Sequence, residues 1–386
     1  MRIVHLIESL NPAGGGPPVI AASIAAAQAK LGHEVTLLAY DDGAARSATE
    51  QLIAETPGFD GVRHVALPRE GRLAKLSGRA VRQWLGEHGG ETDALHLHQV
   101  WEPCLPAAAA WARSRGVPYF VLVNGMLHPW SLAQSRLKKQ IALRLVYRKM
   151  LNGAAALQLG NADEVAAIER LGLSAKTRVI PNGVWPEDVQ PLPAAGTFRA
   201  ARDLTDRPYL LFLARLHHKK GPDILIDAFR QAVEAGFNWN LIVAGDDYGE
   251  REMLSRKIET HGLGERVLLV GPLYHDEKWA ALRDADGFCL PSRQEGFPVA
   301  VLEAMKAGLP CLISRECNVP EVGETGAGEV LPLDAQHFAQ AMCRLADDAA
   351  RREEQGRNAK QLVNERFVWS AVAGQTVEMY AAAGAA

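Results

Sequence analysis

The chain has 386 residues, of which 48% are hydrophobic and 23% are charged, which is enough for two α/β domains that each bury a core. A formal net charge of −3 argues against nucleic acid as a partner. The five cysteines are scattered and lack C-x-x-C spacing, which predicts a cytoplasmic chain without disulfides or a zinc site. No apolar run approaches the length of a membrane span, about 18 to 20 residues, so no transmembrane helix is expected.

The chain opens with a strand, a glycine loop and a helix. Residues Ile3–Ile7 are strand-like, Asn11–Pro18 contain three glycines, and an alanine-rich helical run extends from about Val19 to Leu31. The strand Glu34–Tyr40 follows. This alternation predicts a Rossmann-like parallel sheet whose ligand side lies at the carboxyl ends of the strands.

Gly14, Gly15 and Gly16 also invite comparison with a dinucleotide-binding loop. In the G-x-G-x-x-G fingerprint the last glycine would fall at position 19, where Val19 stands, and two prolines remove backbone donors. A nicotinamide site is therefore disfavoured, and it stays an alternative together with a plain tight turn.

Two further strands of this half end in polar side chains. The segment from Asp93 alternates into a strand that places His98 near its carboxyl end, where we expect it to face a cleft. The alternative is that His96 and His98 are core histidines with satisfied nitrogens. The next strand, Pro118–Val123, ends in Asn124-Gly-Met-Leu-His128, and the amide of Asn124 can both donate and accept hydrogen bonds.

A basic segment follows, because residues 103–162 contain no Asp or Glu. Residues 136–150 are predicted to form a helix with one apolar stripe, although Ile141 and Leu145 fall on the opposite side. Such a helix could dock on anionic lipid headgroups, each cation contributing about 1 kcal/mol; a solvated helix face is the alternative. The cations concerned are Arg136, Lys138, Lys139, Arg144, Arg148 and Lys149.

The second half repeats the strand and helix alternation. Residues 186–208, rich in Pro, Ala and Gly, predict a linker between a domain at 1–185 and a domain at 209–369. The first strand after it delivers Arg215, and Lys220 follows before a helix that begins at Pro222. An arginine and a lysine that flank a strand-to-helix loop can clamp a diphosphate from two sides. If that diphosphate belongs to a nucleotide, the stretch Gly271-Pro-Leu273 is expected to border its base.

The most informative stretch is Pro291–Pro310. After a strand at Gly287–Leu290, a loop leads into a helix, with Pro298 expected in its first turn and a stop at Gly308. Gly296 exposes backbone N–H groups at the positive end of the helix dipole, which suits phosphates. Glu295 in the loop and Glu303 on the helix are placed to accept hydrogen bonds from sugar and ribose hydroxyls.

Glu295-Gly296-Phe297 followed by Glu303 resembles the E-x7-E signature of the retaining glycosyltransferases of family 4. Similar segments elsewhere extend the resemblance over nearly the whole chain: Arg215-x4-Lys220-Gly221, Arg178-Val-Ile-Pro-Asn-Gly-Val184 and Phe367-Val-Trp369. The resemblance implies a GT-B fold, α/β with two Rossmann-like domains facing across a cleft, and a C-terminal helix at about 370–386 that crosses back to the first domain.

The resemblance also implies site residues. Donor contacts would be Gly15, Gly16, Arg215, Lys220, Leu273, Glu295, Gly296, Phe297, Pro298 and Glu303. The catalytic set would be Glu295, Arg215 and Lys220, together with Asn124 or His128. Many family members carry a sugar-binding histidine where Asn124 stands, so this sequence departs from the family pattern there. His98 and Trp101 would lie on the acceptor side of the cleft.

We therefore predict a glycosyltransferase, in particular a hexosyltransferase, that moves a sugar with retention from a nucleotide diphosphate sugar to a hydroxyl of a glycan or lipid-linked acceptor. The expected role is polysaccharide or glycoconjugate synthesis at the inner face of the membrane. No cofactor and no metal are expected, because Arg215 and Lys220 already supply the counter-charge of the diphosphate. Asp284-Ala-Asp286 has the D-x-D spacing that binds a divalent metal in the other major glycosyltransferase fold, but it precedes its strand, at the end remote from the cleft, so we interpret it as structural. The alternatives are a nucleotide-sugar epimerase or hydrolase on the same fold and a non-catalytic nucleotide-sugar-binding protein.

Overall fold

The computed structural model describes residues 1–41, 43–68, 71, 77–185, 193–204 and 207–384. The chain divides into two compact units. Unit 1 comprises Met1–Asn182 and Trp369–Ala386, and unit 2 comprises Gly183–Val368. Each unit has its own parallel sheet and its own apolar core.

The sheet of unit 1 has strands β1 Arg2–Leu6, β2 Glu34–Tyr40, β3 Val62–Leu67, β4 Ala94–His98, β5 Tyr119–Leu122, β6 Ala156–Leu159 and β7 Thr177–Val179. They pair in parallel in the order β3-β2-β1-β4-β5-β6-β7. Strands β2 and β3 thus lie on one side of β1, and β4 to β7 lie on the other. The strand order reverses between β1 and β4, so the loops after these two strands diverge at the carboxyl edge of the sheet.

Helices cover the faces of this sheet. They are α1 Gly16–Lys30, α2 Arg46–Glu55, α3 Arg79–His88, α4 Leu105–Arg115, α5 Pro129–Ala133, α6 Arg136–Ala142, α7 Arg148–Asn152 and α8 Ala162–Arg170. Helix α1 begins three residues before the predicted start, because prolines are tolerated in a first turn whose N–H groups lack helical partners. A π-helical segment, Leu143–Tyr147, joins α6 to α7, so the predicted helix at 136–150 is divided.

Unit 2 repeats this plan with strands β8 Tyr209–Leu213, β9 Asn240–Ala244, β10 Val267–Gly271, β11 Gly287–Leu290, β12 Cys311–Ser314 and β13 Gly328–Leu331. They are parallel in the order β10-β9-β8-β11-β12-β13. The strand order reverses between β8 and β11, so the loops that follow these two strands flank the switch point, where open α/β sheets bind ligands.

The helices of unit 2 are α9 Thr197–Ala201, α10 Pro222–Glu234, α11 Arg251–Thr260, α12 His275–Asp284, α13 Val299–Ala307, α14 Glu321–Glu324, α15 Ala335–Asp347 and α16 Ala349–Arg366. Helix α13 begins one residue later than predicted, because Pro298 is extended and forms its N-cap. The last helix, α17 Trp369–Gly384, belongs to unit 1. Within the described ranges, no helix is both long and apolar enough to span a bilayer.

The predicted linker at 186–208 is only partly covered. Residues 186–192 and 205–206 lie outside the described residues, and residues 193–204 contain α9. Phe198 of α9 is buried in the core of unit 2. The stretch at 193–204 is therefore not a free linker, because its apolar side chain packs with the second domain.

Asp284 and Asp286 fix α9 in place. The carboxylate of Asp284 accepts the N–H groups of Gly196, Phe198 and Arg199 at 2.7, 2.9 and 3.2 Å. Asp286 accepts from the Arg199 guanidinium at 2.8 Å and from the Tyr209 N–H at 2.9 Å. This aspartate pair therefore has the structural role that the sequence predicts for it.

Candidate functional site

The loops after β8 and β11 are joined through their backbones. Gly221 has φ +67, and a Cβ on this residue would overlap the carbonyl oxygen of Pro291. The N–H of Arg293 donates to the carbonyl oxygen of Lys219 at 2.6 Å. Only glycine fits at position 221, so the loop carrying Lys220 lies directly against the loop carrying Glu295.

Arg293 adds a side-chain connection between the same loops. Its guanidinium binds both carboxylate oxygens of Asp223 at 2.7 Å and also donates to the carbonyl oxygen of His218 at 2.8 Å. Burial raises the pKa of Asp223, but the hydrogen bonds and charge of Arg293 outweigh it and hold the pKa below its ordinary value. A bidentate pair of this kind fixes both distance and orientation.

Glu295 and Lys220 form an ion pair at this junction. The Lys220 Nζ lies 2.6 and 2.7 Å from the two carboxylate oxygens of Glu295, and the Ser292 hydroxyl donates to Oε1 at 2.6 Å. The side chain of Glu295 is only 8% exposed. Its backbone is also held, because its N–H donates to Glu316 and its carbonyl accepts from Asn318, both at 3.0 Å.

Glu303 has a lysine partner of its own. It lies on α13, and its Oε1 accepts from the Nζ of Lys278 on α12 at 2.6 Å. The two side chains are 15% and 24% exposed, so this pair is also partly shielded from water. Both carboxylates of the predicted motif are thus paired with lysine side chains.

Arg215, by contrast, is exposed at the end of β8. Its guanidinium lies over the ring of Tyr248, 5.1 Å from the centroid. Backbone hydrogen bonds join Leu216 to Asp246 at 2.7 Å and Tyr248 to Leu216 at 3.0 Å, which places Tyr248 beside Arg215. Burial, together with the charges of Lys220 and Arg215, lowers the pKa of Lys219, so this edge of unit 2 is electropositive.

The other predicted donor contacts in unit 2 differ in how accessible they are. Gly296 is exposed, whereas Pro298 is buried and Phe297 is half-buried with its ring 5.4 Å from that of Phe367. Leu273 is buried in the core of unit 2. Its side chain is therefore covered, and the predicted contact of this stretch with a base stays a prediction.

Gly15 and Gly16 lie in unit 1, at the start of α1. Gly15 has φ +91 and forms the N-cap of this helix, and both residues are exposed. The loop lies next to β1 in sequence, but Pro17 and Pro18 have no N–H and the Gly15 N–H donates to the Pro12 carbonyl, so the helix start offers few donors. Its predicted contact with a donor stays a prediction.

His98 does not face a cleft. It is fully buried, and its Nε2 lies 2.9 Å from the Nδ1 of His5, whose Nε2 lies 2.7 Å from the side-chain oxygen of Gln28. His96 is also buried and contacts the Tyr380 hydroxyl at 2.6 Å. The prediction that His98 lines the acceptor side is therefore wrong, because a chain of hydrogen bonds from β1 to α17 encloses it.

The nitrogens of His5, His96 and His98 lie within 4.8 Å of one another, so this cluster has the spacing of a metal site. Both ring nitrogens of His5 are already hydrogen-bonded. A metal bound to all three residues would have to replace the contact between His5 and His98. Burial lowers the pKa of His5 to about 4, so the cluster is a neutral hydrogen-bonding network at neutral pH.

Trp101 is half-buried. Its ring packs edge-on against Tyr147, with 5.3 Å between centroids, and Lys139 Nζ lies 5.7 Å from the indole centroid. Its indole nitrogen is buried without a hydrogen-bond partner among the described residues. An acceptor contact by Trp101 stays a prediction.

Asn124 and His128 lie in the turn after β5, and both are half-buried. Asn124 has φ +51 and Gly125 has φ +73, so two successive residues are left-handed. The N–H of His128 donates to the carbonyl oxygen of Gly125 at 3.2 Å. The structure thus places both candidate sugar contacts in one tight turn at the carboxyl edge of unit 1.

The sequence reasoning missed several side chains that hold these groups. Ser292, Lys278 and Arg293 contact the predicted carboxylates or join their loops, and Glu164 contacts the turn after β5. For Glu164 a signal was present, since Asn161 followed three residues later by Glu164 has the spacing of a capping box. Lys278 had none, because nothing in its own segment indicates Glu303.

Two family models match the chain. The Glycosyl transferase 4-like domain matches residues 15–183, and Glycosyl transferases group 1 matches residues 197–362. The phosphatidyl-myo-inositol mannosyltransferase of Mycobacterium leprae (strain TN) is 30% identical over 328 residues, or 82% of each chain. The GDP-mannose:cellobiosyl-diphosphopolyprenol alpha-mannosyltransferase of Xanthomonas campestris is 26% identical over 99% of this chain and 97% of its own.

Among solved structures, that of HepE from Anabaena in complex with UDP superposes with a TM-score of 0.77 at 21% identity, over 99% of this chain and 100% of HepE. Fold, family models and relatives agree on the class, which is a glycosyltransferase with two Rossmann-like α/β domains. The chain belongs to the group 1 glycosyltransferases with a family 4-like N-terminal domain. The predicted fold class, family and enzyme class are confirmed.

The contact between Gly221 and Pro291 generates a first prediction. Gly221→Ala is expected to lower the free energy of unfolding by about 2 to 4 kcal/mol, because the new methyl group strains both backbone conformation and loop packing. Denaturant unfolding measures it. Gly249→Ala is the matched control, since Gly249 also has positive φ, +94, but open space around it. If both variants lost the same free energy of unfolding, the close approach of Gly221 to Pro291 would not contribute to stability.

Proposed function

We propose that this glycosyltransferase moves a sugar, with retention of anomeric configuration, from a nucleotide diphosphate sugar to a hydroxyl of a glycan or lipid-linked acceptor. The proposed setting is polysaccharide or glycoconjugate synthesis at the cytoplasmic face of a membrane. The observation that carries the proposal is the junction at the switch point of unit 2, where Arg215, Lys220 and Glu295 lie on two loops locked together. These loops combine cations for a diphosphate with a carboxylate for sugar hydroxyls.

The nature of the donor is supported from two sides. Two of the relatives named above are mannosyltransferases, one of them named for GDP-mannose, and HepE was solved with UDP. In this chain, Arg215 is exposed and Lys220 lies five residues further on, so two cations are available to a diphosphate. We assign the ribose hydroxyls to Glu303 and those of the transferred sugar to Glu295.

The lysine pairs prepare these carboxylates for the donor. In the free chain each carboxylate already lies 2.6 Å from an ammonium group, so its charge is balanced and its position is set before binding. Lys220 can contact the diphosphate while it stays near Glu295. The electrostatic environment therefore needs little reorganisation when the donor arrives.

The proposed reaction breaks the bond between the anomeric carbon and the diphosphate oxygen. The electron pair leaves with the diphosphate, whose developing charge Arg215 and Lys220 stabilise. The acceptor hydroxyl oxygen forms the new bond to the anomeric carbon on the same face, and its proton passes to the departing phosphate oxygen. We assign a contact with the transferred sugar to Asn124 or His128, and we expect no metal or cofactor, because the two cations supply the counter-charge.

A surface on α6 and the adjoining π-helical segment supports a membrane-bound acceptor. Leu137, Ile141 and Leu145 are 71%, 50% and 75% exposed and recur every four residues, so they form one apolar stripe. Leu143 and Tyr147, on the opposite side, are buried and attach the segment to the core. The segment therefore has two apolar faces, one buried against the core and one exposed, which explains why the sequence shows apolar residues on opposite sides of the predicted helix.

Two of the six predicted cations are hydrogen-bonded to backbone carbonyl groups, and the other four are exposed. Arg136, Lys138, Arg144 and Lys149 are exposed. Arg148 donates instead to the carbonyl oxygens of Leu171 and Gly172 at 2.8 and 2.9 Å, and Lys139 donates to the Ser131 carbonyl at 2.7 Å. We therefore limit the proposed docking surface to the apolar stripe and the four exposed cations.

The function is tested with a panel of nucleotide sugars and nicotinamide dinucleotides. We expect binding of one nucleotide sugar class, transfer to a hydroxyl acceptor with an unchanged anomeric configuration, and undiminished turnover in EDTA. Calorimetry measures binding, and NMR of the product gives its configuration. Turnover without an acceptor would favour the epimerase or hydrolase, and donor binding without any turnover would favour the non-catalytic alternative.

Replacement of Glu303 and replacement of Glu295 are expected to change different kinetic constants. Glu303→Gln weakens a contact made alike in ground and transition states, so it should raise the donor KM and weaken binding of the free nucleotide diphosphate by about 10- to 150-fold. Glu295→Gln should chiefly lower kcat, because alignment of the sugar matters most in the transition state.

Titration of both variants with free nucleotide diphosphate and with intact donor separates these effects. Glu324→Gln, which removes an exposed charge from α14 in the same unit, is the control and should behave as wild type. If Glu295→Gln loses affinity for the free diphosphate as severely as Glu303→Gln, the assignment of the two carboxylates is wrong.

The docking surface is tested by changing its exposed cations together to Gln, as R136Q/K138Q/R144Q/K149Q. Binding to vesicles that contain phosphatidylglycerol should fall by at least about 100-fold, because each cation contributes about 1 kcal/mol. Co-sedimentation measures binding, and donor affinity should not change. A variant with four exposed cations of unit 2 replaced, R256Q/R283Q/R357Q/K360Q, is the control. An equal loss in both would contradict a specific surface.

A further inference from the structure

Glu164 is a buried acid that the proposed reaction does not use. It lies in the first turn of α8 and is 5% exposed. Its carboxylate accepts the N–H of Gly160 at 2.8 Å and also the N–H of Gly125. Gly160 follows β6 and Gly125 follows β5, so one carboxylate joins the loops of two neighbouring strands at the carboxyl edge of unit 1.

These contacts go beyond those of a helix cap. In a capping box the acid at the third helical position would reach back to the N–H of the cap residue. Here the side chain of Asn161 accepts the N–H of Glu164 at 3.0 Å, as in a capping box, but the carboxylate of Glu164 is directed to two glycines outside the helix. Capping of α8 therefore does not explain why the Glu164 carboxylate contacts Gly125 in the loop after β5.

The segment that Glu164 holds is conformationally unusual. Asn124 and Gly125 are both left-handed, a conformation that glycine and, among residues with a Cβ, mainly Asn and Asp adopt. The Nδ2 of Asn124 is buried and has no hydrogen-bond partner within the described ranges. A buried N–H donor without a partner is costly, so the retention of this one points to a ligand that accepts from it.

A carboxylate suits this position better than a neutral side chain. Two backbone N–H donors converge on it, and a carboxylate can turn one oxygen toward each, with Oε2 toward Gly160 and Oε1 toward Gly125. A Gln amide would turn its NH2 toward one of them. Burial raises the pKa of Glu164, while the N–H groups of Gly160 and Gly125 act to lower it. In the part of the chain that the structure describes, no Lys or Arg is paired with it.

We propose that Glu164 is a positioning residue that holds the Asn124–Gly125 turn so that the Asn124 amide donates to a hydroxyl of the transferred sugar. The inference rests on the proposed function and deepens it. It selects Asn124 rather than His128 as the sugar contact and assigns its orientation to an acid that does not itself touch the substrate.

The test compares Glu164→Gln with Asp163→Asn, which removes the neighbouring, exposed acid from the same turn of α8. We expect Glu164→Gln to lower kcat by about 10- to 100-fold and to leave affinity for the free nucleotide diphosphate within about twofold of wild type. Asp163→Asn should leave both quantities unchanged. Hydrogen exchange of residues 119–128 should become faster in Glu164→Gln alone.

A double-mutant cycle with Asn124→Ala separates positioning from a general loss of structure. If Glu164 acts through Asn124, adding Glu164→Gln to Asn124→Ala should lower kcat by less than about twofold more. Additive losses, a kcat for Glu164→Gln equal to that of Asp163→Asn, or equal losses of kcat and diphosphate affinity would each overturn the proposal. A wild-type chain that transfers no sugar would instead overturn the proposed function, and the exchange measurement would still report whether Glu164 holds the turn.

Discussion

The close approach of Gly221 to the carbonyl of Pro291 is the constraint on which the unit 2 site depends. It brings the loop after β8 against the loop after β11 at the place where the strand order reverses. Once these backbones touch, Lys220 and Glu295 can pair at 2.6 Å although 75 residues separate them in sequence. The bidentate contact of Arg293 with Asp223 holds the same two loops from a second point.

Charge pairing gives this junction its chemical character. A lone buried carboxylate is costly, because its charge has lost contact with water. Lys220 and Lys278 lower that cost for Glu295 and Glu303, and in the proposed complex they would also supply positive charge to the diphosphate. The same two ion pairs therefore serve the free chain and the proposed complex with donor.

Unit 1 uses buried polar groups in a different way. The histidines of β1 and β4 are connected through Gln28 to Thr376 and Tyr380 of α17, so they attach the end of the chain to the first sheet. Glu164 instead attaches one loop to another. Both networks lie inside the unit, and neither is apparent from the residues of a single segment.

Local sequence determined much of this protein. Apolar runs bounded by Gly and Pro located β2 and β11 with the bounds that the structure has, and the start of α10, because strand and helix periodicity are short-range properties. The spacing of Glu295 and Glu303, and of Arg215 and Lys220, identified the glycosyltransferase family that the relatives confirm.

Tertiary structure decided what these patterns left open. His98 ends its strand as predicted, but its burial depends on His5 and α17, which lie far away in sequence. Arg148 and Lys149 are adjacent in sequence, yet only Arg148 donates to the carbonyl end of α8. The lysine partners of both motif carboxylates, and the glycines that Glu164 holds, were likewise set by which loops meet at the edge of a sheet. A sequence pattern reports which side chains a segment carries, whereas burial and pairing depend on the segments packed against it.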